Sequence, residues 1–184
     1  MVAPEYHDVF MSAPAVSLSV WVGECIVCVK IAGRANFTAS VDFKQLIYGL
    51  HDQGHSRFVL DLTDCLLLDS TFLGVLAGMG LKLGNPDDRQ PAIELLNPSP
   101  RISDLLENLG VTHLFKLASG PAPVEENSSP IPCPASNAPK SEITRTCLDA
   151  HRLLMDINPD NVPKFKDVAT FLAEDLKRME NGKA

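Results

Sequence analysis

Between residues 16 and 118 the chain alternates short apolar runs with stretches of helical period, and this alternation restricts it to a layered α/β fold. Val16 to Trp21 alternates apolar and small polar residues, Gly23 and Glu24 follow, and Cys25 to Ile31 is a second strand-like run. Together they predict a hairpin around Gly23. Gly33–Arg34–Ala35–Asn36 ends it and feeds a helix over residues 39–51, where Phe43, Leu46, Ile47 and Leu50 share one side and Gly54 is the stop. Arg57 to Leu62 suits a strand covered on both faces, and residues 64–68 read as a buried connection. A second helix starts near Ser70 with Leu73, Leu76, Ala77 and Gly80 turned inward. Its glycines at 74, 78 and 80 permit close backbone approach at some cost in helix propensity.

Asn85–Pro86–Asp87 breaks the chain again, and Ala92 to Leu96 is a short strand. Ser99 then offers an N-cap, Pro100 fits the first turn, Ile102, Leu105, Leu106 and Leu109 form a buried stripe, and Gly110 ends the helix. Leu114 to Leu117 is a final short strand. The expected order is ββαβαβαβ: a mixed, mostly parallel sheet with helices packed against it, followed by C-terminal helices.

The flanks differ from this body. Residues 1–15 carry Pro4 and Pro14 and read as a loosely ordered arm. Residues 119–140 are rich in Pro, Ser, Ala and Asn; the prolines remove backbone donors, which makes this stretch a linker or surface loop. Residues 141–184 form a helical extension. Ile143, Cys147, Ala150, His151 and Leu154 mark one amphipathic helix; Phe165, Val168, Leu172, Leu176 and Met179 mark another, with Pro163 near its start. Such faces must cover their own domain, a second copy or a partner, and the parent domain is the default.

Charge and cysteine content narrow the function classes. A net charge of −7 without a basic block argues against direct nucleic-acid binding. No run is long and apolar enough for membrane insertion, and the N-terminus lacks a signal-peptide pattern. The five cysteines are irregularly spaced, which fits a reducing, cytoplasmic setting. Cys25 and Cys28 fall in a predicted strand, where an offset of three sends side chains to opposite faces, so they read as packing residues. Asp61, Asp64 and Asp69 do not establish a metal or acid/base site by themselves. Gly74, Gly78 and Gly80 lie within a helix, unlike the turn of a nucleotide-binding loop. The five histidines are dispersed. No catalytic residue, cofactor or metal is expected.

Phe58–Val59–Leu60–Asp61–Leu62 followed by Leu68–Asp69–Ser70–Thr71–Phe72–Leu73–Gly74–Val75–Leu76 resembles the STAS domain family, particularly the bacterial anti-sigma-factor antagonists. In that family a strand leads through an Asp-Ser-Ser/Thr-Gly-Leu-Gly pattern into a helix, and the first serine is phosphorylated by a partner kinase that is also an anti-sigma factor. The resemblance spans roughly residues 16–118 and places the phosphorylated serine at Ser70. It implies a partner-binding patch of Asn36, Asp69, Ser70, Thr71, Phe72 and Gly74. Phe72 stands where the family has glycine, adding apolar area and bulk at that point.

The resemblance implies a phosphorylation-regulated anti-sigma factor antagonist in a partner-switching pathway that regulates transcription. Its partners would be an anti-sigma factor/serine kinase and a serine phosphatase; homodimerisation stays open. The alternative is a non-switching scaffold in a sensory assembly or a transporter-associated complex. A hydroxyl at a helix start also has a plain structural role, since capping a free N–H is worth roughly 1 kcal/mol. Phosphorylation there would add about −1.5 to −2 charges beside Asp69, at a helix N-terminus that tolerates them. The expected result is loss of a partner with little change of fold.

Overall fold

A computed structural model describes residues 16–84, 91–124, 129–133 and 137–182. The expected N-terminal arm and the Asn85–Pro86–Asp87 break lie outside the described residues. The elements are β1 (Ser17–Val22), β2 (Val27–Ala35), α1 (Phe37–Asp52), β3 (Phe58–Asp61), β4 (Cys65–Leu68), α2 (Ser70–Leu83), β5 (Ile93–Leu96), α3 (Pro100–Asn108), β6 (Lys116–Ala118), β7 (Ile131–Cys133), α4 (Lys140–Ile157) and α5 (Val162–Asn181). The strands form one sheet in the order β6-β5-β3-β2-β1-β7. β2, β3, β5 and β6 run parallel, while β1 is antiparallel to both β2 and β7. This is the mixed, mostly parallel sheet that the sequence suggests.

β2 determines where the site forms. Val27 to Lys30 pair with β3, and Gly33 to Ala35 pair with β4, with a register shift between Gly33 and Arg34. Gly33 adopts φ +82°, a left-handed conformation that glycine reaches without strain. The segment expected to end the strand is therefore an irregularity inside it. The connection expected to be buried at 64–68 is likewise a strand, β4, parallel to the end of β2, with Cys65 and Leu68 buried and Leu66 exposed. As a result Ala35 and Leu68 are register partners, and α1 and α2 leave the sheet side by side.

The period-two pattern divides the sheet into two faces. Val27, Val29, Ile31, Phe58, Leu60, Ile93 and Leu95 belong to the main core, together with Phe43 and Ile47 of α1 and Leu73 and Leu76 of α2. Cys28, Val59 and Leu96 form a smaller cluster on the alternate positions, covered in part by Trp21, Ala122 and Val124. Cys25 is exposed in the hairpin turn and does not occupy the strand expected for it. The Gly23 N–H closes that turn on the Ile26 carbonyl at 3.0 Å.

The C-terminal third departs from expectation at one point and follows it at another. The Pro-rich stretch contributes β7, paired with β1 through Leu18, Ser19 and Val20. Pro132 is tolerated because, among the described residues, β7 is an edge strand bonded to β1 alone. The two late helices cover their own domain: α4 packs along α2 and touches α1, and its Ala150 and Leu154 enter the main core. Asn161 joins the parts, donating from Nδ2 to the Leu109 carbonyl (3.0 Å) after α3 and to the Leu154 carbonyl (2.8 Å) near the end of α4. It is fully buried, so these bonds offset a desolvation cost that an unpaired amide would impose.

Candidate functional site

Two helix N-termini meet at the ends of β2 and β4. Asn36 is the N-cap of α1, and its Oδ1 accepts from the Thr38 (3.2 Å) and Ala39 (3.4 Å) amides. That cap starts α1 at Phe37, two residues before the periodicity suggests. Asp69 is the N-cap of α2, with Oδ1 accepting from the Phe72 amide at 2.8 Å. Its Oδ2 accepts from the Phe37 amide at 2.7 Å. One carboxylate thus satisfies orphan donors on both helices, and the positive ends of both helix dipoles favour its charge. Its own amide donates to the Ala35 carbonyl at 3.0 Å, which fixes the junction to β2.

With Asp69 at the cap, Ser70 is the first residue inside α2. The capping role anticipated for its hydroxyl belongs to Asp69. Ser70 Oγ instead lies 2.9 Å from Nε2 of His151 on α4. The other ring nitrogen, Nδ1, lies 2.8 Å from the Cys147 carbonyl. A carbonyl only accepts, so Nδ1 carries the proton in this arrangement. Nε2 then holds a lone pair, and the Ser70 hydroxyl donates to it. Burial pushes the His151 pKa down, opposed by the Cys147 carbonyl and the Asp69 charge. The His151 ring also packs on Phe165 of α5, with centroids 4.9 Å apart.

The remaining patch residues lie deeper. Thr71, Phe72 and Gly74, expected to belong to the partner-binding patch, are all buried. Phe72 is fully enclosed and stacks on Phe43 with ring centroids 4.8 Å apart. Its bulk fills the core between α1 and α2. The Thr71 hydroxyl bonds the Cys147 thiol, whose pKa burial raises. A Cβ added at Gly74 would stand 2.6 Å from the Ala150 carbonyl oxygen, so glycine is what allows α2 and α4 to cross this closely. Asn36, Asp69 and Ser70 stay partly accessible and form the rim.

Beside Ser70, on the side of α3, a groove of about 430 Å³ opens. Leu67, Leu68, Ile102 and Leu105 supply apolar walls, and Arg101, Asp104 and Asn108 add polar groups. The three aspartates weighed as a cluster have separate duties. Asp61 accepts from the Thr63 amide at 3.0 Å, Asp64 pairs with Lys30 at 2.6 Å, and Asp69 caps the helices. Among the described residues, no group of three or more His, Cys, Asp or Glu is arranged to hold a metal ion.

His151 is the site residue that the sequence conceals. It belongs to the apolar stripe of α4, where a polar ring has to find partners once buried. That is the signal available in the sequence, but it does not name Ser70, 81 positions away. Arg101 gives no signal at all, being one exposed charge on an amphipathic helix.

Comparison with known proteins adds a family. The model of the STAS domain matches residues 20–122, more than half of the chain. No curated protein matches in sequence. Among solved structures, the chain is similar to an anti-sigma factor antagonist from Mycobacterium paratuberculosis. That match has 19% identity and TM-score 0.49, over 56% of this chain and 86% of that one. It is also similar to the anti-sigma factor antagonist SpoIIAA in its unphosphorylated form, with 21% identity and TM-score 0.47 over 56% of this chain and 88% of that one. The Bacillus cell fate determinant SpoIIAA in its phosphorylated form gives 22% identity and TM-score 0.45, over 56% and 91%.

Proposed function

This chain belongs to the STAS domain family, and from that premise we propose that it is a phosphorylation-regulated protein-binding module, an anti-sigma factor antagonist whose switch is Ser70. The observation that carries this reading is the division of labour at the start of α2. Asp69 caps the helix, so the Ser70 hydroxyl has no backbone duty and stands at the edge of an open groove. A hydroxyl needed for capping would cost helix stability when modified; this one would not.

A phosphoryl group on Ser70 brings about −1.5 to −2 charges to a rim that already holds Asp69. The first-turn N–H groups of α2 favour that charge from within the domain. A partner seated over the rim and groove meets a doubly acidic patch in place of a neutral hydroxyl, so its affinity falls while the fold is kept. Its chemistry belongs to a serine kinase acting as anti-sigma factor and to a serine phosphatase; the domain contributes the acceptor. Asn36, Asp69 and Ser70 contact the partner, and Thr71, Phe72 and Gly74 set the height and angle of the rim from beneath. The setting is cytoplasmic, where such kinases and sigma factors operate.

The test has two parts. Phosphopeptide mapping of the protein recovered from its host should find phosphate on Ser70. Binding of wild type, Ser70→Ala and Ser70→Glu to the host's anti-sigma kinases should show affinity lost in Ser70→Glu alone. The second reading, a non-switching scaffold, draws on the close cover that α4 places over Thr71 and Gly74. Absence of phosphate on Ser70, together with unchanged binding by Ser70→Glu, decides for the scaffold.

A further inference from the structure

The Ser70–His151 pair has the parts of an activated hydroxyl. The Cys147 carbonyl fixes the ring tautomer from one side at 2.8 Å, and Nε2 faces Oγ at 2.9 Å from the other. The ring is 6% exposed, between α2 and the Phe165 ring of α5, so its orientation is locked by packing. The groups facing it are Ser70 and Asp69 from the start of α2, Cys147 from its own helix and Phe165 from α5. Both Asp69 oxygens are already engaged with backbone amides, which leaves the hydroxyl to the imidazole. On the open side of Ser70 lies the groove, with Arg101 on its wall. The Ser70 and Thr71 N–H groups, in the first turn, have no intrahelical acceptor.

We propose that His151 is a built-in general base that makes Ser70 a nucleophile toward phosphoryl donors entering by the groove. In the transfer, Ser70 Oγ forms a bond to phosphorus, Nε2 takes the hydroxyl proton, and the bond from phosphorus to the leaving group breaks with its electron pair. With a nucleoside triphosphate presented by a kinase, the leaving group is the nucleoside diphosphate. The imidazolium so formed stands beside a phosphate anion, which it can hold as counter-ion before releasing the proton to water. The C-terminal extension is then part of the acceptor site. This deepens the reading of Ser70 as the phosphorylated residue and rests on it for its biological meaning, whereas the chemistry is testable without any kinase.

The probe is an alkyl fluorophosphonate, which forms the same Oγ–P bond and expels fluoride. The full chain is treated across a range of pH, labelling is timed, and the modified residue is located by peptide mass spectrometry. Wild type should label at Ser70 and not at Ser99, with a rate that rises with pH and levels off below the ordinary histidine value of about 6.5. His151→Gln keeps an acceptor near Oγ but has no useful basicity, and should label about 100-fold more slowly. An unlabelled Ser70, an equal rate in His151→Gln, or a wild-type rate that keeps climbing through neutral pH overturns the proposal. The wild-type pH profile needs no variant to fold. A phosphorylated Ser70 in the host with no fluorophosphonate labelling removes His151 as base and leaves the switch standing. Labelling at Ser70, with unchanged partner binding by Ser70→Glu, does the reverse.

Discussion

Ser99 and Ser70 both stand at the start of a helix, and they are used in opposite ways. Ser99 is the N-cap of α3, with its Oγ accepting from the Ile102 amide at 3.4 Å. Ser70 is displaced one position into α2, because Asp69 holds the cap and accepts from the equivalent amide, that of Phe72. In each helix the residue whose amide is capped also anchors the core, Ile102 being 1% exposed and Phe72 0%. The difference is a single step of register. It turns one hydroxyl into a structural part and releases the other to face His151.

The comparison breaks hardest at the shared anchor. Phe72→Ala empties a stacked, fully buried site and should cost about 3–5 kcal/mol in equilibrium urea unfolding; a loss below about 1 kcal/mol would mean that Phe72 is not a core residue. Asp69→Ala leaves the Phe37 and Phe72 amides without their acceptor, and should cost about 2–3 kcal/mol, more than one ordinary cap. Ser99→Ala should cost about 1 kcal/mol and speed hydrogen exchange at the Ile102 amide. Ser70→Ala should leave the Phe72 amide as protected as in wild type, with a stability change of about 1 kcal/mol that comes from the donor lost to His151 and not from the cap. Faster exchange at Phe72 would return Ser70 to the capping role.

The smallest effect is on pH dependence. Burial depresses the His151 pKa in the folded state relative to the unfolded chain. The unfolded chain therefore takes up a proton first as pH falls below about 6.5. Stability is full above that pH and declines as pH drops toward the folded-state value. His151→Gln should flatten that part of the profile; an unchanged slope between wild type and variant would assign the decline to other groups.

Much of the sheet and its helices is legible in the sequence because burial writes a period into it. Phe43, Ile47 and Leu50 on α1 and Ile102 and Leu106 on α3 lie in the interior as their spacing requires. The start of α2 is less legible. Asp69, Ser70 and Thr71 are three cap-competent residues in a row, and local preference ranks Asp and Ser nearly equally. What selects Asp69 is the parallel pairing of β2 with β4, which brings the Phe37 amide to its second oxygen, a contact 32 residues apart. β4 was obscured because a four-residue apolar run carries no reliable period. The packing of Phe72 is not legible from the family pattern, which has glycine there, because its partner is Phe43 of a different helix. β7 was obscured by its own proline, which excludes a central strand but not an edge strand.

The most direct measurement is the nitrogen chemical shifts of His151 by NMR on uniformly labelled protein at pH 7.5, in wild type and in Ser70→Ala. We expect a neutral ring with the proton on Nδ1 and a bare Nε2. Its resonance should move in Ser70→Ala, as the hydroxyl donor is lost. A ring protonated on Nε2, or an Nε2 resonance identical in the two proteins, would show that Ser70 does not donate to His151 and that the freed hydroxyl is not what this site provides.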